Sequence, residues 1–296
     1  MGIVASTPSP TEGVSVEFDV HTRIPVEGVI ALAEKAGQAI MRIYESEDFG
    51  TRLKSDDSPL TQADTDANAV ICRGLGELAP HVPIISEENK LLPHSIREGY
   101  QYCWMVDPLD GTKEFVKRNG QFTVNIALIQ GNEPVMGVLH VPVGGDTYFA
   151  VKGRGAFVRR KGVTTPISAA EFNPTDSGVV MVGSASHMSD ATKEFVGLFK
   201  EPEFKQLGSS LKLMLVAEGT AHVYPRLAPT MEWDTAAADI IVREAGGVVL
   251  HAGRCSGRGE LLEDWKDAIL KEQPLRYNKE DLLNPCFVVF GKRRGA

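Results

Sequence analysis

Four cysteines in 296 residues, Cys72, Cys103, Cys255 and Cys286, stand far apart, with no C-x-x-C pair and no cysteine–histidine cluster. Nothing here builds a disulfide framework or a zinc site, and such usage fits a reducing compartment, so the expected location is the cytoplasm. No apolar run approaches the ~20 residues of a membrane-spanning helix, which argues against an integral membrane protein. The N-terminus lacks the basic start and unbroken apolar core of a secretory signal. Met1-Gly2-Ile-Val-Ala-Ser6 does fit the short myristoylation pattern, but no polybasic partner follows and the match is read as coincidental. Runs of Lys and Arg are missing too. With 31 basic and 39 acidic residues the net charge is −8, which disfavours a nucleic-acid polymer as partner. There is no P-loop, no G-x-G-x-x-G after a strand, no H-E-x-x-H and no G-x-S-x-G.

What is present is an ordinary globular composition, 43% hydrophobic and 24% charged, long enough for one large domain or two fused halves. The informative stretch is Trp104-Met-Val-Asp107-Pro108-Leu109-Asp110-Gly111-Thr112-Lys113-Glu114-Phe115. Tyr102 to Val106 reads as a strand, and Pro108 and Gly111 then predict a turn at its end. Two carboxylates on one turn do not crowd together unless a cation neutralises them or one is protonated. Hard oxygen ligands suit Mg²⁺, which favours one or two carboxylates plus water and substrate phosphate.

Before this stretch, residues 1–22 are rich in Ser, Thr, Pro and Gly and are expected to form a flexible tail. Val29, Leu32, Ala33, Ala36, Ile40 and Ile43 give helical spacing after Pro25. A breaker-rich loop, Lys54 to Pro59, precedes a second helix with Ala67, Ile71, Leu75 and Leu78 inward. Thr61 and Asp64 have capping-box spacing; Asp64 is equally placed to face the cavity at the strand ends. Val82 to Ile85 reads as a strand ending in Ser86-Glu87-Glu88, either a solvated turn or a further oxygen ligand beside Asp107. Strands over Thr123–Ile129, Val135–Val141, Thr147–Val151 and Ala156–Arg159 complete an α+β first half.

Later the pattern changes to alternating strands and helices, an α/β second half. Strands are expected at Val179–Val182, Phe204–Leu207, Ala221–Tyr224, Val248–Leu250 and Phe287–Phe290. Helices are expected at Asp190–Phe199, after Gly208-Ser209-Ser210, and from Trp233-Asp234 to the Gly246-Gly247 stop. Pro225-Arg226 is read as the start of a loop. Gly208-Ser209-Ser210 suits either a phosphate cradle or a simple N-cap, and Asp234 either a ligand or a first-turn carboxylate. His187, in the loop Ser184-Ala-Ser-His187, is the one histidine placed for binding.

Ser86-Glu87-Glu88, Asp107-Pro-Leu-Asp110-Gly-Thr112 and Trp233-Asp234-Thr-Ala-Ala together resemble the inositol monophosphatase superfamily of metal-dependent, lithium-sensitive phosphatases. The three elements come in family order from about residue 25 onward. Lys113-Glu114-Phe115, Asp57-Ser58-Pro59-Leu-Thr61-x-Ala63-Asp64, Gly208-Ser-Ser-Leu-Lys212 and Tyr224-Pro225-Arg226 are similar to its CysQ-type bisphosphate nucleotidase branch, as is Leu275-x-Tyr277-Asn-Lys279…Leu283-Asn284-Pro285. That branch hydrolyses adenosine 3',5'-bisphosphate to AMP and phosphate, relieving inhibition of sulfate assimilation.

The resemblance implies a layered α-β-α-β-α sandwich like that of the inositol monophosphatases and fructose-1,6-bisphosphatases, with a metal-binding subdomain at 23–165 and a substrate-binding subdomain at 166–296. It implies two to three Mg²⁺ held by Glu87, Asp107, the Leu109 carbonyl, Asp110 and Asp234, with Asp64 and Thr112 orienting and deprotonating the attacking water. It places Gly111, Thr112, Lys113, His187, Gly208, Ser209, Ser210, Lys212 and Arg226 around a small nucleotide. Ala185 departs from the family, where a basic residue is common before Ser-His. The oligomeric expectation is a monomer or homodimer. Competing readings are an inositol or sugar phosphate phosphatase with the same metal site, and a sensor that kept the fold without turnover. Phosphate monoester hydrolysis asks for charge neutralisation and positioning more than a covalent nucleophile, which agrees with these residue types.

Overall fold

The computed structural model describes residues 15–17, 23–46, 50, 52–53, 59–183, 189–257 and 260–294. Residues 54–58 of the loop expected from Lys54 to Pro59, the Ala185 and His187 loop and the Gly2 motif lie outside the described residues, and Pro59 is in a strand. Within the expected tail, Ser15–Glu17 (β1) pairs antiparallel with Arg23–Pro25 (β2). Extended Pro25 then caps α1 (Val26–Tyr44), on which Val29, Ala33, Ala36 and Ile40 are fully buried at three- and four-residue spacing. The hairpin of β3 (Arg52–Leu53) and β4 (Pro59–Leu60) leads to α2 (Gln62–Leu78), which buries Ala63, Ala67, Ile71 and Leu75 in the same way.

Seven strands form the first sheet: β5 (Ile84–Ser86), β6 (Tyr102–Asp110), β7 (Thr123–Gln130), β8 (Glu133–Val141), β9 (Asp146–Val151), β10 (Ala156–Arg160) and β11 (Val163–Ile167). They lie side by side in sequence order, antiparallel except for the parallel pair β5–β6. Between them stand the short helices α3 (His94–Arg97) and α4 (Thr112–Val116). β12 (Glu171–Phe172) pairs with the C-terminal β18 (Lys292–Arg293). The second sheet holds β13 (Val180–Gly183), β14 (Glu203–Gln206), β15 (Val223–Arg226), β16 (Val248–His251) and β17 (Phe287–Phe290) in the order β14-β13-β15-β17-β16. Its helices are α5 (Asp190–Val196), α6 (Leu211–Ala217), α7 (Glu232–Glu244) and α8 (Trp265–Leu270).

Strand alternation sorts these elements into layers. Trp104, Val106, Val124, Ile126, Leu128, Met136 and Val138 face α1 and α2. Their neighbours Cys103, Met105, Ala127, Ile129 and Leu139 face the other way, onto Leu213 and Met214 of α6 and Ala237, Ile240 and Ile241 of α7. That same cluster continues into Val182, Tyr224, Val249 and Val289 of the second sheet. The opposite side of the second sheet, with Met181, Val223, Leu250 and Val288, packs on Phe195 of α5 and Trp265 of α8. The result is the five-layer α-β-α-β-α order, and both sheets are covered on both faces, which is why their strands read as continuous apolar runs.

Several boundaries differ from expectation. The division expected at residues 165 and 166 falls inside β11, which stays with the first sheet by pairing with β10. Pro225 and Arg226 do not begin a loop; they finish β15, opposite Val288 and Phe287 of the antiparallel β17. α5 stops at Val196 because Gly197 and the following turn end it before Phe199. β11 and α8 carry too little apolar periodicity to have been predicted.

Candidate active site

The first correction lies at the acidic pair. β6 does not end at Val106: Asp107 is paired with Asn125 and Asp110 with Thr123, so three steps on β6 match two on β7. One extra residue, in the Pro108–Leu109 region, makes a bulge. Residues three apart on a regular strand point to opposite faces; the extra residue brings Asp107 and Asp110 to the same side. Proline, with no N–H to contribute, is tolerated there. The Leu109 N–H donates to Asp107 Oδ1 at 3.0 Å and closes the bulge. The turn comes at Gly111, with φ +95° and no room for a Cβ, which would sit 2.9 Å from the Gln121 carbonyl oxygen.

Asp110 is held by the junction between β14 and α6. Its Oδ2 accepts from Ser209 Oγ, Ser210 N and lies as close to Ser210 Oγ, each at 2.6 Å. The groups read as a phosphate cradle are thus engaged by a carboxylate of the protein itself, which leaves Asp110 Oδ1 for a cation. Ser210 Oγ is also 2.6 Å from the Asp234 carbonyl oxygen, so its one proton couples the two acidic segments. Asp234 occupies the first turn of α7, where its Oδ2 accepts from Met231 N at 2.8 Å. Asp107, Asp110 and Asp234 each offer a carboxylate oxygen, all within 4.8 Å of one another. Glu87 follows β5, its N–H bonded to the Val106 carbonyl at 3.2 Å, and lines the adjoining cavity. The Leu109 carbonyl lies 3.3 Å from Thr112 Oγ1.

Asp64 caps α2 and also meets Thr112. Its Oδ2 accepts from Thr61 N at 2.7 Å and Thr61 Oγ1 at 2.6 Å, capping α2, while Oδ1 accepts from Thr112 Oγ1 at 3.0 Å. The cap therefore fixes the carboxylate that faces Thr112.

A cavity of about 330 Å³ opens beside the acidic cluster. Gly111, Thr112, Lys113, Gly208, Ser209, Ser210, Lys212 and Arg226 all line it. Lys212 is buried; its Nζ donates to Ser209 O at 2.6 Å and stands 5.4 Å from the Tyr224 ring centroid, and burial pushes its pKa down to about 8. Arg226 donates to Pro229 O at 2.8 Å, and its buried Nε has no partner among the described residues. Sequence reasoning missed Gln121, whose Oε1 accepts from Gly208 N at 2.7 Å, and Asn125, which donates to Ser210 Oγ at 3.1 Å. A buried Thr123 and Asn125 at the head of an apolar strand were the available signal. Tyr224 and Thr230 complete the wall.

Burial and the charges of Glu87, Asp110, Asp234 and Asp64 hold Asp107 well above the usual carboxylate range. Burial first, then Asp110 and Glu87, push Asp234 up to about 8, against the Met231 N–H that favours the anion. Such a cluster is neutralised at physiological pH either by protons or by a cation. An all-oxygen donor set on Glu87, Asp107, Asp110 and Asp234 fits a hard divalent ion.

A model of the inositol monophosphatase family matches residues 25–284. The 3'(2'),5'-bisphosphate nucleotidase CysQ of Salmonella typhimurium is 42% identical over 265 residues, 89% of this chain and 98% of the relative. Its counterpart in Escherichia coli K12 is 41% identical over 266 residues, with 89% and 98% covered. Among solved structures, CysQ from Bacteroides thetaiotaomicron shares 42% identity with a TM-score of 0.74, over 91% of this chain and 98% of that one.

Proposed function

The chain belongs to the inositol monophosphatase family, a family of metal-dependent phosphatases, and on that premise we propose that it is a Mg²⁺-dependent 3'(2'),5'-bisphosphate nucleotidase removing the 3'-phosphate of adenosine 3',5'-bisphosphate to leave AMP. The observation that carries this reading is the geometry of one cavity. It is lined by the carboxylates Glu87, Asp110 and Asp234 and also by the cationic side chains Lys113, Lys212 and Arg226. A substrate with two phosphates suits that mixture: one phosphate on cations held by the carboxylates, the other against the basic side chains. Inositol monophosphate has nothing to offer the second group. The identity to CysQ proteins over nearly the whole chain supports the same choice.

Glu87, Asp107, Asp110, Asp234 and the Leu109 carbonyl would hold the ions. Bound Mg²⁺ would supply charge neutralisation on the phosphate and a water acidic enough to lose a proton near neutral pH. The protein's own part is to place that water and take its proton. Thr112 Oγ1 donates to Asp64 Oδ1, so its lone pairs accept from the water, and Asp64 is the base through which the proton leaves. Arg226 lines the cavity and would bring its positive charge to the substrate. Among the described residues no helix is long and apolar enough to cross a membrane.

The test is phosphate release with Mg²⁺ from adenosine 3',5'-bisphosphate and from inositol 1-phosphate at equal concentration. A strong preference for the nucleotide is expected. Equal or reversed rates overturn the substrate assignment, and no release from either overturns the phosphatase itself.

A further inference from the structure

The signature Leu275-x-Tyr277-Asn278-Lys279…Leu283-Asn284-Pro285 is unused by the mechanism, and none of its residues lines the catalytic cavity. Tyr277, Asn278 and Asn284 are nonetheless buried. The segment lies along one stripe of α7, the helix that carries Asp234. Glu232, completely buried, accepts from the backbone N–H groups of Asn278 and Lys279 and pairs with Lys279 Nζ; its own N–H donates to Leu282 O at 2.9 Å. One turn on, Thr235 Oγ1 accepts from Asn284 Nδ2 at 2.9 Å. Next, Asp239 accepts from Tyr277 OH at 2.8 Å. Asn284 Nδ2 also reaches Met231 O at 2.7 Å, the residue whose N–H holds Asp234. Every turn of the stripe up to Asp239 is thus bonded to this segment.

Its other side is bonded to the first half of the chain. Arg97 of α3 is 2% exposed, and its Nη1 donates to Asn278 Oδ1 at 2.8 Å and Lys279 O at 3.1 Å, its Nη2 to Glu280 O at 3.1 Å and its Nε to Leu92 O at 2.9 Å. Asn278 Nδ2 returns a bond to Arg97 O at 2.8 Å. Arg97 lies in the same connection between β5 and β6 that begins with Glu87. Asp107 and Asp110 share one strand, but Glu87 and Asp234 come from different halves of the molecule.

We propose that residues 275–285 are a strap, and that its buried relay Arg97–Asn278–Glu232 sets where Asp234 stands relative to Glu87. Affinity for a divalent cation then depends on positioning residues that touch neither ion nor substrate. This rests on reading the acidic cluster as a cation site. Outer partners of ligand side chains commonly change metal affinity by about 10–100-fold.

Mn²⁺ binding to the full chain, read from loss of the free-ion EPR signal, tests the proposal without turnover. Asn278 has φ +57°, so Asn278→Gly keeps the backbone and removes both side-chain bonds to Arg97. Its Mn²⁺ dissociation constant should rise about tenfold. Asn278→Asp, which keeps the Oδ1 acceptor for Arg97 but sets a carboxylate oxygen against the Arg97 carbonyl in place of the Nδ2 donor, should recover part of the affinity. Val158→Ala, in the first sheet away from the site, is the control for general destabilisation. Unchanged Mn²⁺ affinity in Asn278→Gly, or equal weakening in a Val158→Ala protein of the same melting temperature, overturns the strap. If Asn278→Gly does not fold, Glu232→Gln is read by the same criteria. Failure of the unaltered chain to bind Mn²⁺ removes the cation reading and the strap with it.

Discussion

Asp107 shows how much of this site is arranged against its own stability. It is 2% exposed, its Oδ1 holds one backbone N–H, and four other carboxylates act on it. An ionised Asp107 without a counter-charge is unfavourable. Asp107→Asn keeps the shape and removes the charge, so it should abolish phosphate release while raising the melting temperature in EDTA at pH 8. Turnover retained in this variant would remove Asp107 from the reaction. A melting temperature that drops sharply would mean that the carboxylate is structural instead. Thr112 offers a second separation of roles, because its Oγ1 is shared between Asp64 Oδ1 at 3.0 Å and Leu109 O at 3.3 Å. Thr112→Val should lower kcat far more than it raises KM if, as proposed, the missing hydroxyl places the water; an effect on KM alone would point to simple substrate contact.

At the scale of elements, the cap of α2 and the bulge of β6 do work that no single side chain could. Thr61 fixes Asp64 through both N–H and Oγ1, so Thr61→Ala should cost about 1 kcal/mol of stability and also slow turnover by loosening Asp64. Thermal melts and kcat measured together check this; a stability loss with unchanged kcat would make the cap purely structural. The apolar strands were legible because both sheets are covered on both faces, and Thr123–Gln130 and Glu133–Val141 match their patterns within about two residues. The bulge was not legible. A bulge is a count of residues against a partner strand, and from one strand alone Pro108 looks like a turn former. α8 escaped for a different reason: of its six residues only Trp265 and Ala268 are buried, too few for a period. Within the site, the acidic positions stood in recognisable local strings. Gln121, Thr123 and Asn125 did not, because their partners are about 85 or more residues away on the Gly208–Ser210 junction.

For the whole molecule, the proposed cation site would join Glu87, Asp107 and Asp110 of the first half to Asp234 of the second, so occupancy and folding would be linked. Asp107 and Asp234 hold protons in the fold far above the usual carboxylate value of 3.8, Asp234 up to about 8. Above pH 6.5 and below pH 8 these two carboxyls therefore bind more protons in the metal-free native state than in the unfolded chain, and their contribution to stability falls as pH rises. The buried His140 and the part-buried His222 and His251, shifted downward from 6.5, act in the opposite sense at the lower edge of this window, and Cys255, lowered to about 7, does so above pH 7. In EDTA the melting temperature should decline across this window, and Asp234→Asn should flatten the decline. On the proposed reading Mg²⁺ would bind the ionised cluster and stabilise by RT ln(1 + [Mg²⁺]/Kd), so its effect should be larger at pH 8 than at pH 6.5. Equal Mg²⁺-induced shifts at the two pH values, or an unchanged slope in Asp234→Asn, would mean that these carboxylates do not bear the ion.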